Sequence, residues 1–244
     1  MAGLRSHGFP GASPSRRAAL RLGGYILAFL ASCGTLHAAE PASPHPHQGV
    51  IEPFEGKPAV PHLGPEQLAA LARGEAILTT EEEGQGGRGV AIQDIQASPE
   101  TVWNRIAAFR EYPGMVNHVR ECEPYLEEGH DLRVRFVLSV VGFRYEYFIQ
   151  HDFRLDEGYM TWTLDYSRES DLDDSVGYWV VEEVPGQPGF SRLYYSIDMR
   201  TRGWMPGFLR RMIARQGLVD ATAWVKRESE ALQRENGTPG GADG

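Results

Sequence analysis

Several long runs of alternating side chains follow one another through residues 131–202, and then the period changes once. LRVRFVLSVVG, FRYEYFIQHDFRL (143–155), YMTWTLDYS (159–167), VGYWVVEEV (176–184) and FSRLYYSIDMRTR (190–202) are rich in β-branched and aromatic residues, with glycine- or acid-rich turns between them. Successive side chains of a strand point to opposite faces, so each run acquires an apolar side and a more polar one. From about Pro206 the spacing becomes helical, with Leu218, Ala221, Val225 and Leu232 marking the stripe of one long amphipathic helix. Strands in succession followed by a helix, rather than strands alternating with helices, predict an α+β fold: an antiparallel sheet with helices packed on one face.

The chain ahead of this run supplies the remaining elements. Pro65 suits the first position of a helix over 65–73, with Leu68, Leu71 and Ala72 as its stripe and Gly74 as its stop. EAILTT (75–80) and VAIQDIQA (90–97), joined by the polar EEEGQGGRG, predict a hairpin. Ser98 and Pro99 open a second helix whose apolar face is Val102, Ile106 and Phe109, and Pro113 breaks it. An extended segment over about 117–126 would then place His118 and Cys122 on one strand, too far apart to touch.

The first 33 residues hold four arginines, no acidic residue, and end in the short apolar run YILAFLASC. A basic start followed by an apolar stretch too short to span a bilayer predicts a secretory signal. LASC, ending at Cys33, resembles the bacterial lipoprotein box, in which the cysteine is acylated; cleavage near LHAAE is the alternative. Either route exports the chain, to the periplasm or, when acylated, to an outer-membrane anchor. Cys122 is then the one cysteine left for the exported domain, so no intramolecular disulfide is available. Removing the four arginines leaves 20 basic against 33 acidic residues, a balance that repels phosphate backbones and argues against a nucleic-acid partner.

Residues 34–62 contain six prolines and no apolar period, and predict an extended, solvated tether. HPHQG within it carries metal-ligating residue types, but a mobile tether would not fix their geometry, so neither a metal nor a cofactor is expected. The resulting organisation is signal 1–33, linker 34–62, helix and strand extension 63–87, main domain 88–235 and tail 236–244.

ASPETVWNRIAAFREYPGMVNHVRECEPYLEEG, followed by the strand run, VGYWVVEEV and a helix after WMPGF, resembles the START-like (SRPBCC) superfamily. The polyketide cyclase/dehydrase and coenzyme Q-binding branches are the most similar. That resemblance implies a helix-grip fold, a curved antiparallel sheet wrapped round the C-terminal helix, with a cavity between them for lipids, isoprenoids, quinones or polyketides.

On that fold the strand parities nominate cavity residues: Phe136, Leu138, Tyr145, Tyr147, Trp162, Trp179, Tyr195 and Met199, with Trp204 on the connector before the last helix. Large aromatic groups with one polar handle suit an apolar guest that a few hydrogen bonds orient. Gly177 beside Trp179 suggests a close approach of a ligand or of the final helix. Catalytic candidates are thin. His151 shares parity with Tyr147 and is the best polar group for the cavity, whereas Cys122 lies between Glu121 and Glu123, which oppose a thiolate. The expectation is an exported, lipid-anchored, non-catalytic domain that holds a hydrophobic small molecule. The alternative is a cyclase or dehydratase using His151 or a cavity tyrosine as general acid or base.

Overall fold

The alternating runs become one eight-stranded sheet. The computed structural model describes residues 42–83, 86–140, 142–202 and 207–237, the side chains of 82–83 and 207–217 excepted. The stretch expected to be a signal, with Cys33, the connector residue Trp204 and the residues from 238 lie outside the described residues.

The strands are β1 (Ile77–Glu83), β2 (Gly86–Ile95), β3 (Val119–Glu128), β4 (Asp131–Val140), β5 (Phe143–Arg154), β6 (Tyr159–Leu164), β7 (Leu172–Glu183) and β8 (Ser191–Thr201). Their order is β1-β2-β8-β7-β6-β5-β4-β3, and all neighbours run antiparallel. Strands β3 to β8 therefore pair in sequence, and the β1–β2 hairpin joins the free side of β8. Within the extension 63–87, β1 forms the edge of the main sheet, and β2 begins at Gly86.

Among the described residues four α-helices join the sheet, α1 (Pro65–Ala72), α2 (Pro99–Ile106), α3 (Tyr112–Met115) and α4 (Gly207–Gly237), with 3-10 turns at Phe109–Glu111 and Leu155–Glu157. The crossover from β2 to β3 is made by α2, the first 3-10 turn and α3. Ser98 caps α2 by accepting from the Thr101 N–H at 3.2 Å. α2 ends at Ile106, ahead of the break expected at Pro113, and Pro113 sits in the first turn of the short helix α3 that follows, where its missing N–H costs nothing.

Helix α4 lies against β2 and α2. A β-carbon at Gly89 would overlap the Leu218 side chain, so the glycine is what lets α4 come this close to β2. Gln233 Oε1 ties the other pair, accepting from the Ser98 N–H at 3.2 Å and the Thr101 hydroxyl at 2.9 Å.

The inward parity of β2 to β8 joins one core that includes Val134, Phe136, Ile149, Met160, Leu164, Val181 and Leu193, closed by Ile106, Phe109, Tyr112, Trp224 and Val225. The outward parity is not uniformly polar. Over β2, β6, β7 and β8 it carries Ile92, Tyr159, Tyr178, Val180 and Tyr194, which form a second buried cluster with Leu71 of α1 and with Phe54, Val60 and Leu63.

Residues 42–62 are therefore a strap on the outer face, which corrects the reading of this stretch as a solvated tether. Its hold is mostly backbone chemistry that hydropathy does not register. Asp174 Oδ2 accepts the Val50 and Ile51 N–H groups at 2.6 and 2.8 Å, while Oδ1 accepts the Tyr166 hydroxyl at 2.6 Å and the Ser175 N–H at 2.8 Å. The His45 N–H donates to Tyr166 O at 3.0 Å, the Glu169 N–H donates to Ser43 O at 2.7 Å, and Phe54 meets Tyr178 edge-on at 5.0 Å.

Burial alone would raise the Asp174 carboxyl, but the Tyr166 hydroxyl and the surrounding N–H groups outweigh it and hold the pKa below its ordinary value. A carboxylate depressed in this way stabilises the fold above its unfolded pKa and loses that contribution as pH falls through the folded value. Asp174→Asn is expected to cost about 2 kcal/mol, since hydrogen bonds to a charged acceptor contribute ~1.5–3 kcal/mol each and exposed donors can recover water. Limited proteolysis should show faster cleavage within 45–62, and an unchanged cleavage rate would refute this account of the strap.

Candidate functional site

Between the inward face of the sheet, the crossover and α4 lies a cavity of about 420 Å³. Small-molecule sites run from roughly 300 to 1,000 Å³, so this space is of ligand size. Of the nominated residues, Phe136 and Leu138 line it from β4, Tyr145 and Tyr147 from β5, Trp162 from β6, Trp179 from β7, and Tyr195 and Met199 from β8. Trp204 is outside the described residues.

The strand pattern did not reveal the contribution of the other walls. Phe109, Tyr112 and Val116 of the crossover, Gly87 and Gly89 of β2, and Leu218, Ala221 and Trp224 of α4 also face the cavity. Leu218 and Ala221 belonged to the helical stripe of the sequence, and Trp224 follows Ala221 by one turn, so the stripe carried that signal. Of the crossover residues, Phe109 was on the apolar face expected for the second helix, whereas Tyr112 and Val116 had no signal, because their position depends on how the chain crosses the sheet.

The aromatic groups are arranged in layers. Phe136 and Tyr147 stack at 5.3 Å with an angle of 8° between planes. Tyr195 stacks on Trp162 at 5.8 Å and meets Trp179 at 4.3 Å. Gly177 supports this wall from below: a β-carbon there would overlap both the Trp162 ring and the Ser196 carbonyl oxygen. The close approach anticipated at Gly177 is thus that of a neighbouring indole and strand. Trp162 Nε1 also faces the Ser175 hydroxyl at 3.4 Å.

The buried histidine and tyrosines of this space are held neutral. Burial drives the His151 pKa down to about 4, against the opposing pull of its hydrogen bond to Leu132 O at 3.0 Å. With Nδ1–H donating to that carbonyl, Nε2 is left as an acceptor, and the ring packs on Phe109 at 5.2 Å. Burial pushes the hydroxyls of Tyr147 and Tyr195 upward, and the nearness of Tyr195 adds to the effect at Tyr147. Tyr112 is likewise raised by burial and donates to Ile106 O at 2.6 Å. Tyr147 and Tyr195 both line the cavity, from β5 and β8.

Cys122 is buried beside this group, and burial followed by the Glu123 charge pushes its thiol upward, so it is not a nucleophile. His118 is not on the strand as expected: β3 begins at Val119, and His118 precedes it at φ 68° with an exposed ring. Thr80, Arg88, Asn117 and His118, the exposed part of the lining, mark the solvent side of the cavity. The side chains able to hold a metal among the described residues, His45, His47 and Asp173, lie elsewhere, on the strap and β7.

No curated protein sequence matches the chain. The sequence profile of the family described as polyketide cyclase / dehydrase and lipid transport matches residues 89–232. Among solved structures, the Zhui aromatase/cyclase from Streptomyces sp. R1128 superposes with a TM-score of 0.51 at 14% identity, covering 67% of this chain and 100% of that one. A START superfamily protein from Mycobacterium smegmatis gives 0.48 at 15% identity over 64% and 98% of the two chains. A Thermus thermophilus protein gives 0.49 at 19% identity over 62% and 99%. At such identities the likeness is one of fold, and it is the profile match over most of the domain that carries the assignment. The chain belongs to the polyketide cyclase/dehydrase and lipid-transport family.

Proposed function

We propose that the protein is an exported, lipid-anchored carrier or sensor that holds an uncharged hydrophobic small molecule in the cavity between sheet and α4. The observation that carries this reading is the apolar, aromatic-layered space of about 420 Å³ whose buried histidine and tyrosines are neutral. An ionised head group placed there would lose its hydration without a counter-charge, a cost of many kcal/mol. An uncharged ligand gains roughly 25 cal/mol for each Å² of apolar surface removed from water. The hydroxyls of Tyr147 and Tyr195, two of the cavity's lining residues, would donate to a ligand oxygen, as an isoprenoid quinone or a polyketide-like ketone supplies. Export and acylation at Cys33 rest on the N-terminal sequence.

The cyclase or dehydratase reading draws on His151 and the two tyrosines sharing one cavity. It is the weaker one: a histidine near 4 is a poor base at neutral pH, and its Nδ1 is engaged with Leu132 O.

Native mass spectrometry with lipid extraction of the purified chain should reveal a bound neutral lipid, isoprenoid or polyketide. Ala221→Trp, which fills the cavity from α4, should reduce occupancy at least tenfold. A filled cavity with unchanged occupancy, or a chain that never carries a ligand, would overturn the carrier reading. Labelling with radioactive palmitate should mark the wild type and leave Cys33→Ala unlabelled.

A further inference from the structure

The strap brings two histidines to one carboxylate that is far away in sequence. His45 Nε2 lies 2.8 Å from Asp173 O, and His47 Nε2 lies 3.3 Å from Asp173 Oδ1. The two rings meet edge to face, at 4.8 Å and 86°, so their nitrogens converge instead of the rings stacking. One ligating atom from each of the three residues falls within 4.8 Å of the others.

We propose that His45, His47 and Asp173 form a binding site for a divalent transition-metal ion, Zn²⁺ or Ni²⁺, that fastens the strap to the start of β7. Two imidazoles and one carboxylate are a donor set suited to these ions. Ligands about 2.0–2.1 Å from a tetrahedral Zn²⁺ are about 3.4 Å apart, close to the present His47–Asp173 separation of 3.3 Å. His45 is 4 % exposed, so its ring is held in place by the strap and by Asp173 rather than free in solvent. The ion would enter where the Nε2 protons now stand. Each proton moves to Nδ1 of its own ring, so none is released, and water completes the coordination.

The surroundings set the strength of the site. His47 Nδ1 now accepts from the Gly49 N–H at 3.0 Å and His45 Nδ1 from the Ser170 N–H at 3.5 Å, and both contacts must open. Arg200 stands 3.8 Å from Asp173 Oδ2 and Arg202 acts on His45, both opposing a dication. These costs place the affinity in the micromolar range rather than that of a structural zinc.

The test is calorimetric titration of the full, untagged, chelator-treated chain with Zn²⁺ and Ni²⁺ salts. One saturable site is expected, with His47→Ala and Asp173→Asn each weakening it at least tenfold and His62→Ala leaving it unchanged. X-ray absorption of the Zn²⁺-loaded chain should show two imidazoles on the metal, a readout that strap loosening in a variant cannot imitate. Absence of saturable binding, parent-like affinity in both variants, or fewer than two imidazoles would each overturn the site. None of these results bears on the cavity.

Discussion

Gly177→Ala is expected to destabilise the fold by about 3 kcal/mol or more, at the upper end of the ~1–3 kcal/mol usual for overpacking. The added methyl overlaps two groups with different freedom to yield. The Trp162 indole can tilt, but only into the cavity it lines and away from its stack on Tyr195. The Ser196 carbonyl oxygen belongs to β8, paired to β7 along the length of both strands, and can move only by disturbing that ladder. For a domain of this size the cost corresponds to a Tm lower by roughly 10 °C. Ligand occupancy should fall with it, because the ring closes the space it walls. Thermal unfolding followed by tryptophan fluorescence measures the first, and mass spectrometry of the folded variant the second. A variant within about 2 °C of the parent, less than a 1 kcal/mol change would give, would show that the wall is looser than the contacts around Gly177 imply.

The largest pH effect is expected from His151. Unfolded, an imidazole takes up its proton near 6.5; in the native cavity it does so only near 4. Between those values the unfolded chain holds a proton that the native state lacks. Stability is therefore full above the unfolded pKa and declines as pH falls from 6.5 toward 4, by about 3 kcal/mol in total. His151→Leu should cost stability at pH 8, where the hydrogen bond to Leu132 O is lost, and should flatten the curve between pH 6.5 and 4. His45, also lowered by burial, will keep part of the slope in both proteins, so the difference between the two curves is the quantity to read. Parallel curves would mean that His151 is solvated or already charged in the native state. Ligand occupancy of the wild type should stay flat from pH 6 to 8, since the buried histidine and tyrosines do not titrate there.

The cavity wall was legible because strand parity is a local rule. Once Tyr147 faces inward, Tyr145, Ile149 and His151 must follow, and pairing carries the choice to Phe136 on β4 and Trp162 on β6. The glycine at 177 could be read as a close approach, but not what approached, because Trp162 meets it only through strand pairing. The outer face misled for the opposite reason. Tyr178 and Tyr194 look like isolated exceptions to a polar parity until the strap and α1 cover them as a cluster.

The amino-acid order alone determined the α+β class, the inward residues of β4 to β8 and the apolar stripe of α4, since each follows from a repeat of two or of three to four residues. The folded structure decided where the proline-rich segment goes, how the crossover closes the cavity, and that His45 and His47 meet Asp173, 126 residues beyond His47. No periodicity encodes such meetings. They arise when backbone N–H groups of an irregular segment find acceptors such as the Asp174 carboxylate on a sheet that other residues have already built.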